Sequence, residues 1–150
     1  MKKHEEKARE LFHGGMNCAQ AVFCAFSDVT GFDEKTALAI SSSFGGGMGR
    51  LREVCGAVSG MLMVAGVKYG AYDVNDNEAK ASHYALIQSL AKQFAEENGS
   101  YICRELLELP SGADEPTPEK RTESYYKRRP CAEYVACAAR ILDKQLGIEQ

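Results

Sequence analysis

The sequence predicts an all-α protein, a single-domain bundle of about six or seven helices around a buried, glycine-containing central helix. Three observations predict it. Apolar residues recur at helical spacing in one segment after another, and no segment keeps a period of two. Between those segments stand residues that start and stop helices: Asn17, Asp33, Ser100, Gly31, Gly99 and Gly147. The stretch Phe44 to Gly70 is apolar on nearly every face, and such a helix belongs in the middle of a protein.

Taken in order, residues 3 to 12 read as a short helix with Ala8, Leu11 and Phe12 on one side, ended by Gly14 and Gly15. Asn17 caps a second helix, Cys18 to about Asp28, whose stripe is Cys18, Ala21, Val22, Ala25 and Phe26. Asp33 caps a third through Ala37, Leu38 and Ile40. A glycine loop, Gly45, Gly46, Gly47 and Gly49, leads to the central helix. Leu51, Val54, Cys55, Val58, Leu62 and Ala65 keep its spacing, which puts Cys55 in its second turn. Gly56 and Gly60 give this helix a narrow side. Two interior glycines cost about 1 kcal/mol each against alanine, so a neighbouring backbone needs the space.

After a turn at Tyr72 to Asn77, capped by Asp76 or Asn77, a long helix runs from Glu78 to Glu97. Its core face is Tyr84, Ile87, Ala91 and Phe94. Ser100 caps a short helix, Tyr101 to Leu109. The charged stretch from about 110 to 130 holds all four prolines and is loop-like, of the length that often forms a lid. Within it, Thr117-Pro118-Glu119 predicts a helix through Tyr125. Pro130 starts the last helix, with Cys131, Tyr134, Val135, Ala138 and Leu142 as its stripe.

Composition excludes several classes. The 150 residues predict one domain, 1–150, with enough chain for a core of its own. A net charge of -3 leaves no basic footprint for nucleic acid. The charged start, MKKHEEKARE, has no leader-like apolar run, and the apolar run at Val54 to Val67 is too short to span a bilayer. The chain therefore reads as soluble and cytoplasmic, with no membrane insertion. His4, His13 and His83 read as solvated or helix-end residues, and Tyr125-Tyr126 as an exposed face.

The chemistry lies with the cysteines, at 18, 24, 55, 103, 131 and 137. Cys18, Cys103 and Cys131 each fall in the first turn of an expected helix, and Cys55 lies near the start of the central one. Unpaired N–H groups and the helix dipole favour a thiolate there, and the thiolate is the species that attacks, ligates and oxidises. Lys127, Arg128 and Arg129 stand just before Cys131 and favour its thiolate further. Cys24 and Cys137 lie deeper in their helices and read as small buried apolar residues. There is no C-x-x-C, Gly-Lys-Ser/Thr or strand-borne glycine fingerprint. The glycine loop serves packing first, with anion or carboxylate binding beside Cys55 as a lesser role.

These residues carry a resemblance. Cys55-Gly56-Ala57-Val58-Ser59-Gly60 is similar to the C-G-A-x-x-G core of the family named for the pattern C_GCAxxG_C_C, and the likeness covers nearly the whole chain. It includes Cys18 in NCAQAV, the FGGGMGR lead-in, Gly99-Ser100 before Cys103, and Cys131. Val54 stands where the literal name has a glycine. The resemblance implies that Cys18, Cys55, Cys103 and Cys131 are the family's four cysteines. It also implies a small bacterial or archaeal cytoplasmic protein, called redox-active from its cysteines and often encoded near transporter genes. It assigns no substrate.

Three readings follow. In the first, Cys55 is the buried, motif-borne thiol of a thiol/disulfide redox protein, a possible thiol-disulfide oxidoreductase. Cys18, Cys103 or Cys131 is its attacking or resolving partner, and a redox partner or small molecule exchanges with it. In the second, the same four cysteines ligate zinc or an iron–sulfur cluster. In the third, the chain is a helical binding module whose cysteines only pack.

Overall fold

The computed structural model describes residues 3–110 and 112–148. It is all-α. Among the described residues the only strand-like feature is one antiparallel bridge, Val54 to Ile102. Helix α1 is Lys3–His13, α2 Cys18–Ala25, α3 Ser27–Thr30 and α4 Glu34–Ser41. A single turn, α5, spans Gly45–Met48, and the central helix α6 is Gly56–Tyr69. Then come α7, Asn77–Asn98, α8, Cys103–Leu106, α9, Glu123–Arg128, and α10, Cys131–Leu146.

An eight-residue helix such as α2 has little stability of its own. It is held by its ends and its burial. Asn17 accepts a hydrogen bond from the Gln20 backbone N–H at 2.9 Å, and the Asn17 N–H donates in return to Gln20 Oε1 at 3.1 Å. Asn17 also donates to the Ser42 carbonyl at 3.1 Å, which ties the start of α2 to the end of α4. Ala19, Ala21, Val22 and Phe23 are fully buried between α1, α4 and α6. Of these, Val22 and Phe23 each contribute about 1.5–3 kcal/mol.

The narrow side of α6 lies against α2. A Cβ on Gly60 would stand 2.7 Å from the Ala19 carbonyl oxygen, and one on Gly56 3.0 Å from both Cys18 Cβ and the Phe44 oxygen. The rest of the core joins α1, α2, α6, α7 and α10 through Phe12, Phe26, Met61, Leu90, Phe94 and Leu142.

Several expectations are corrected. The central helix starts at Gly56, so Leu51 and Val54 lie outside it and Cys55 caps it. Leu51 is exposed. The second helix breaks at Phe26. Tyr84 is exposed, and Leu90 and Phe94 are the buried face of α7. Thr117-Pro118-Glu119 starts no helix; Thr122 caps α9 instead, through its hydroxyl and the Tyr125 N–H. Tyr125 and Tyr126 are half-buried against the core.

His4 is no solvated residue: only 2% of it is exposed. It stacks on Phe26 at 4.1 Å, with Nδ1 2.7 Å from Asp143 and Nε2 2.9 Å from Asp28. No helix among the described residues is long and apolar enough to cross a membrane.

Candidate functional site

Cys18, Cys103 and Cys131 are the first residues of α2, α8 and α10, and Cys55 is the residue before α6. These four helix starts converge on one cavity of about 430 Å³, which all four cysteines line. Cys24 and Cys137 do not line it. Both are buried elsewhere, and the Cys137 sulfur accepts from Asn98 at 3.3 Å.

Chain pairing sets Cys55 beside Cys103. The Cys55 N–H donates to the Tyr101 carbonyl at 2.8 Å, and the Cys103 N–H to the Glu53 carbonyl at 2.6 Å. These bonds flank the Val54–Ile102 bridge, so the two cysteines sit diagonally across it. The glycine loop braces the same segment: Arg52 N–H bonds Gly46 O and Glu53 N–H bonds Gly47 O. Gly47 has φ +70, and a Cβ there would lie 2.7 Å from Cys103 Cβ and 2.8 Å from Arg52 Cα. The loop is thus a close-packed floor to the site.

The same connection holds Arg50 at φ 66 and Arg52 at φ 61, left-handed conformations that cost about 1–2 kcal/mol each. That cost is met locally. Arg52 donates to Asp114 at 2.9 Å and to the Cys103 sulfur at 3.6 Å, and Arg50 pairs with Asp114 at 3.3 Å. On the far wall Arg129, 8% exposed, donates to Glu119 at 2.6 Å. Arg121 donates to the Phe12 and Met16 carbonyls at 2.6 and 2.8 Å and lies over the Phe12 ring.

The expectation that each helix start lowers its thiol's pKa is corrected for three of the four. Burial pushes Cys55 from the ordinary 9.0 up to about 12, even though the Ala57 and Val58 N–H groups favour its thiolate. Burial also raises Cys103, against the pull of Arg52. Cys18 is raised well above the ordinary value, first because its S–H hydrogen bonds to Cys131 and then by burial. Cys131 alone is lowered. The Cys18 hydrogen bond is the largest cause, followed, against the cost of burial, by the charges of Arg129, Arg52 and Arg121. Of the three basic residues preceding Cys131 in sequence, Arg129 is the one at the cavity.

The site therefore sets Cys131, whose thiolate is favoured, beside the Cys18 thiol, with two further sulfurs lining the same cavity. A model of the protein family described as "Putative redox-active protein (C_GCAxxG_C_C)" matches residues 16–145. The chain belongs to this family. The match spans all four cavity cysteines, and the family's description supports a redox role in general terms. No curated protein and no solved structure matches the chain.

Sequence reasoning missed Arg50, Arg52, Arg121 and Tyr125 as cavity residues. Arg52 had a signal, since it stands three residues before Cys55; Arg121 and Tyr125 had none, because the 110–130 segment shows no periodicity to place them.

Among the described residues, no three or more His, Cys, Asp or Glu side chains are grouped so as to hold a metal ion. Cys18 is hydrogen-bonded to Cys131, and Arg52 donates to Cys103.

Proposed function

We propose that this member of the family is a thiol/disulfide redox protein in which Cys131 attacks and Cys18 resolves. The observation that carries the reading is the placement of the pair: Cys131 opens α10 and Cys18 opens α2 on one cavity, beside Arg52 and Arg129, which favour the Cys131 thiolate. The Cys131 thiolate attacks one sulfur of a substrate disulfide. The substrate S–S bond breaks, a mixed disulfide forms, and the leaving thiolate takes a proton from water. Cys18 then attacks the Cys131 sulfur, its proton passing to the second substrate sulfur, which leaves as a thiol. The protein ends two electrons oxidised with a Cys18–Cys131 bond, and the substrate ends as two thiols. Cys55 and Cys103, with raised pKa, stay thiols through these steps.

Removing the resolving sulfur while keeping the attacking one tests the reading. Reduced Cys18→Ser protein, given a small disulfide, should stall as a stable adduct of one substrate half on Cys131, seen as a mass increase on that peptide. Cys131→Ser should form no such adduct at Cys18. An adduct that forms on Cys55 or Cys103 instead, or none at all, rejects the assignment.

A further inference from the structure

The walls of the cavity say what kind of disulfide enters it. Cys131 is only 8% exposed, and residues 116, 118 and 119 of the segment before α9 line the cavity with it. Attack on a disulfide needs the attacking sulfur in line with the bond it breaks, and a folded protein's disulfide cannot reach a sulfur so enclosed. A cavity of about 430 Å³ suits a small molecule.

Charge narrows the class. Arg50, Arg52, Arg121 and Arg129 all line the cavity. Asp114 serves both Arg50 and Arg52, and Glu119 serves Arg129 while also pairing with Arg128 outside. Arg121 is held by two backbone carbonyls and has no carboxylate partner among the described residues. Arg50 Nε is buried without a hydrogen-bond partner. Four guanidinium groups thus meet two carboxylates, and a thiolate at Cys131 still leaves positive charge in excess. Once Cys131 is bound in a mixed disulfide, the excess grows.

Resting on the exchange chemistry above, we propose that the substrate is a small disulfide carrying carboxylates, recognised by Arg121 and Arg50 while Cys131 attacks. Both guanidinium groups line the cavity, Arg50 Nε has no hydrogen-bond partner, Arg121 carries N–H groups beyond the two its carbonyls take, and guanidinium groups match carboxylate geometry. The arrangement solves a specific problem. A thiolate repels an anionic disulfide, and the arginines remove that repulsion where the sulfurs meet. The excess charge also holds the carboxylate of the half left on Cys131 until Cys18 releases it.

The test uses reduced full-length protein at low ionic strength and three disulfides of similar size: dithiodipropionate, which is anionic, bis(hydroxyethyl) disulfide, which is neutral, and cystamine, which is cationic. Rates are divided by those of a free small thiol with the same compounds, which sets aside their intrinsic reactivity. The protein should prefer the anion over the neutral compound by roughly tenfold or more, with cystamine slowest, and added salt should shrink the gap. Arg121→Gln and Arg50→Gln should each narrow the preference ratio. Arg121→Lys should keep most of it, which separates lost charge from disturbed folding.

Equal normalised rates for the anionic and neutral compounds would overturn the substrate class while leaving the exchange chemistry in place. Failure of all three to modify Cys131 would overturn the exchange chemistry itself.

Discussion

At the residue scale, two neighbouring sulfurs are driven in opposite directions by one hydrogen bond. Cys131 gains a donor and nearby arginines, so its thiolate is favoured; Cys18 is the donor and holds its proton. The pH profile of alkylation follows from this. Cys131 should react with iodoacetamide with a midpoint below 9.0, and Cys55 should stay unreactive until far higher pH, since its own pKa is about 12. Removing the hydrogen bond by Cys18→Ala should move the Cys131 midpoint up, and Arg129→Gln should move it in the same direction. Peptide-resolved mass spectrometry after timed alkylation reads both. A single shared midpoint for all the cysteines at or above 9.0 would contradict this assignment.

At the element scale, the site depends on how closely α6 approaches α2, because that contact carries Cys18 to the cavity. Gly60→Ala tests it. The new methyl meets the Ala19 carbonyl oxygen at 2.7 Å and Val22 Cβ at 3.0 Å, and forcing such a fit costs about 1–3 kcal/mol. Alanine recovers up to about 1 kcal/mol of helix propensity, so a net loss of up to about 2 kcal/mol is expected, toward the upper end because the carbonyl it meets is backbone. It should appear as a lower urea midpoint at unchanged slope, together with a slower Cys18–Cys131 closure. An unchanged midpoint would mean that the helices do not pack this closely.

At the scale of the whole molecule, buried thiols make stability depend on alkaline pH. Cys55 is raised from 9.0 to about 12, and Cys24 and Cys137 to about 11. For an acid whose folded pKa is raised, the unfolded chain ionises first. The contribution of these groups is therefore complete below pH 9 and is lost as pH climbs toward 11 and 12. Chemical denaturation at several alkaline pH values should show the fall, and Cys24→Ala should reduce its steepness. The lowered Cys131 acts with the opposite sign, its contribution fading as pH falls through its folded value. Flat stability between pH 8 and 11 would contradict the burial of these thiols.

Much of this molecule was legible in the chain. Asn17, Asp33 and Asp76 cap the helices they precede, Gly99 and Gly147 stop theirs, and all four cavity cysteines fall at helix starts. These are local effects, set by a few adjacent residues. What was not legible depends on contacts distant in sequence. The helical spacing of Leu51, Val54 and Cys55 is genuine, but the left-handed backbone at 46–50 and the pairing with residues 101–103 pull that segment out of the helix. His4 looked solvated because its partners, Asp28 and Asp143, come from other helices. The sulfurs share one pattern in sequence; only the packed molecule separates Cys131, because burial raises Cys55 and Cys103 and the hydrogen bond to Cys131, with burial, raises Cys18.

Disulfide mapping tests the central claim most directly. Anaerobically purified protein, all of whose six cysteines start free, is given one equivalent of diamide, alkylated and digested without reduction. The account predicts a single cross-linked peptide pair joining Cys18 to Cys131, with the other cysteines alkylated. A bond between Cys55 and Cys103 that leaves Cys131 free, or a full complement of alkylated thiols, would contradict it.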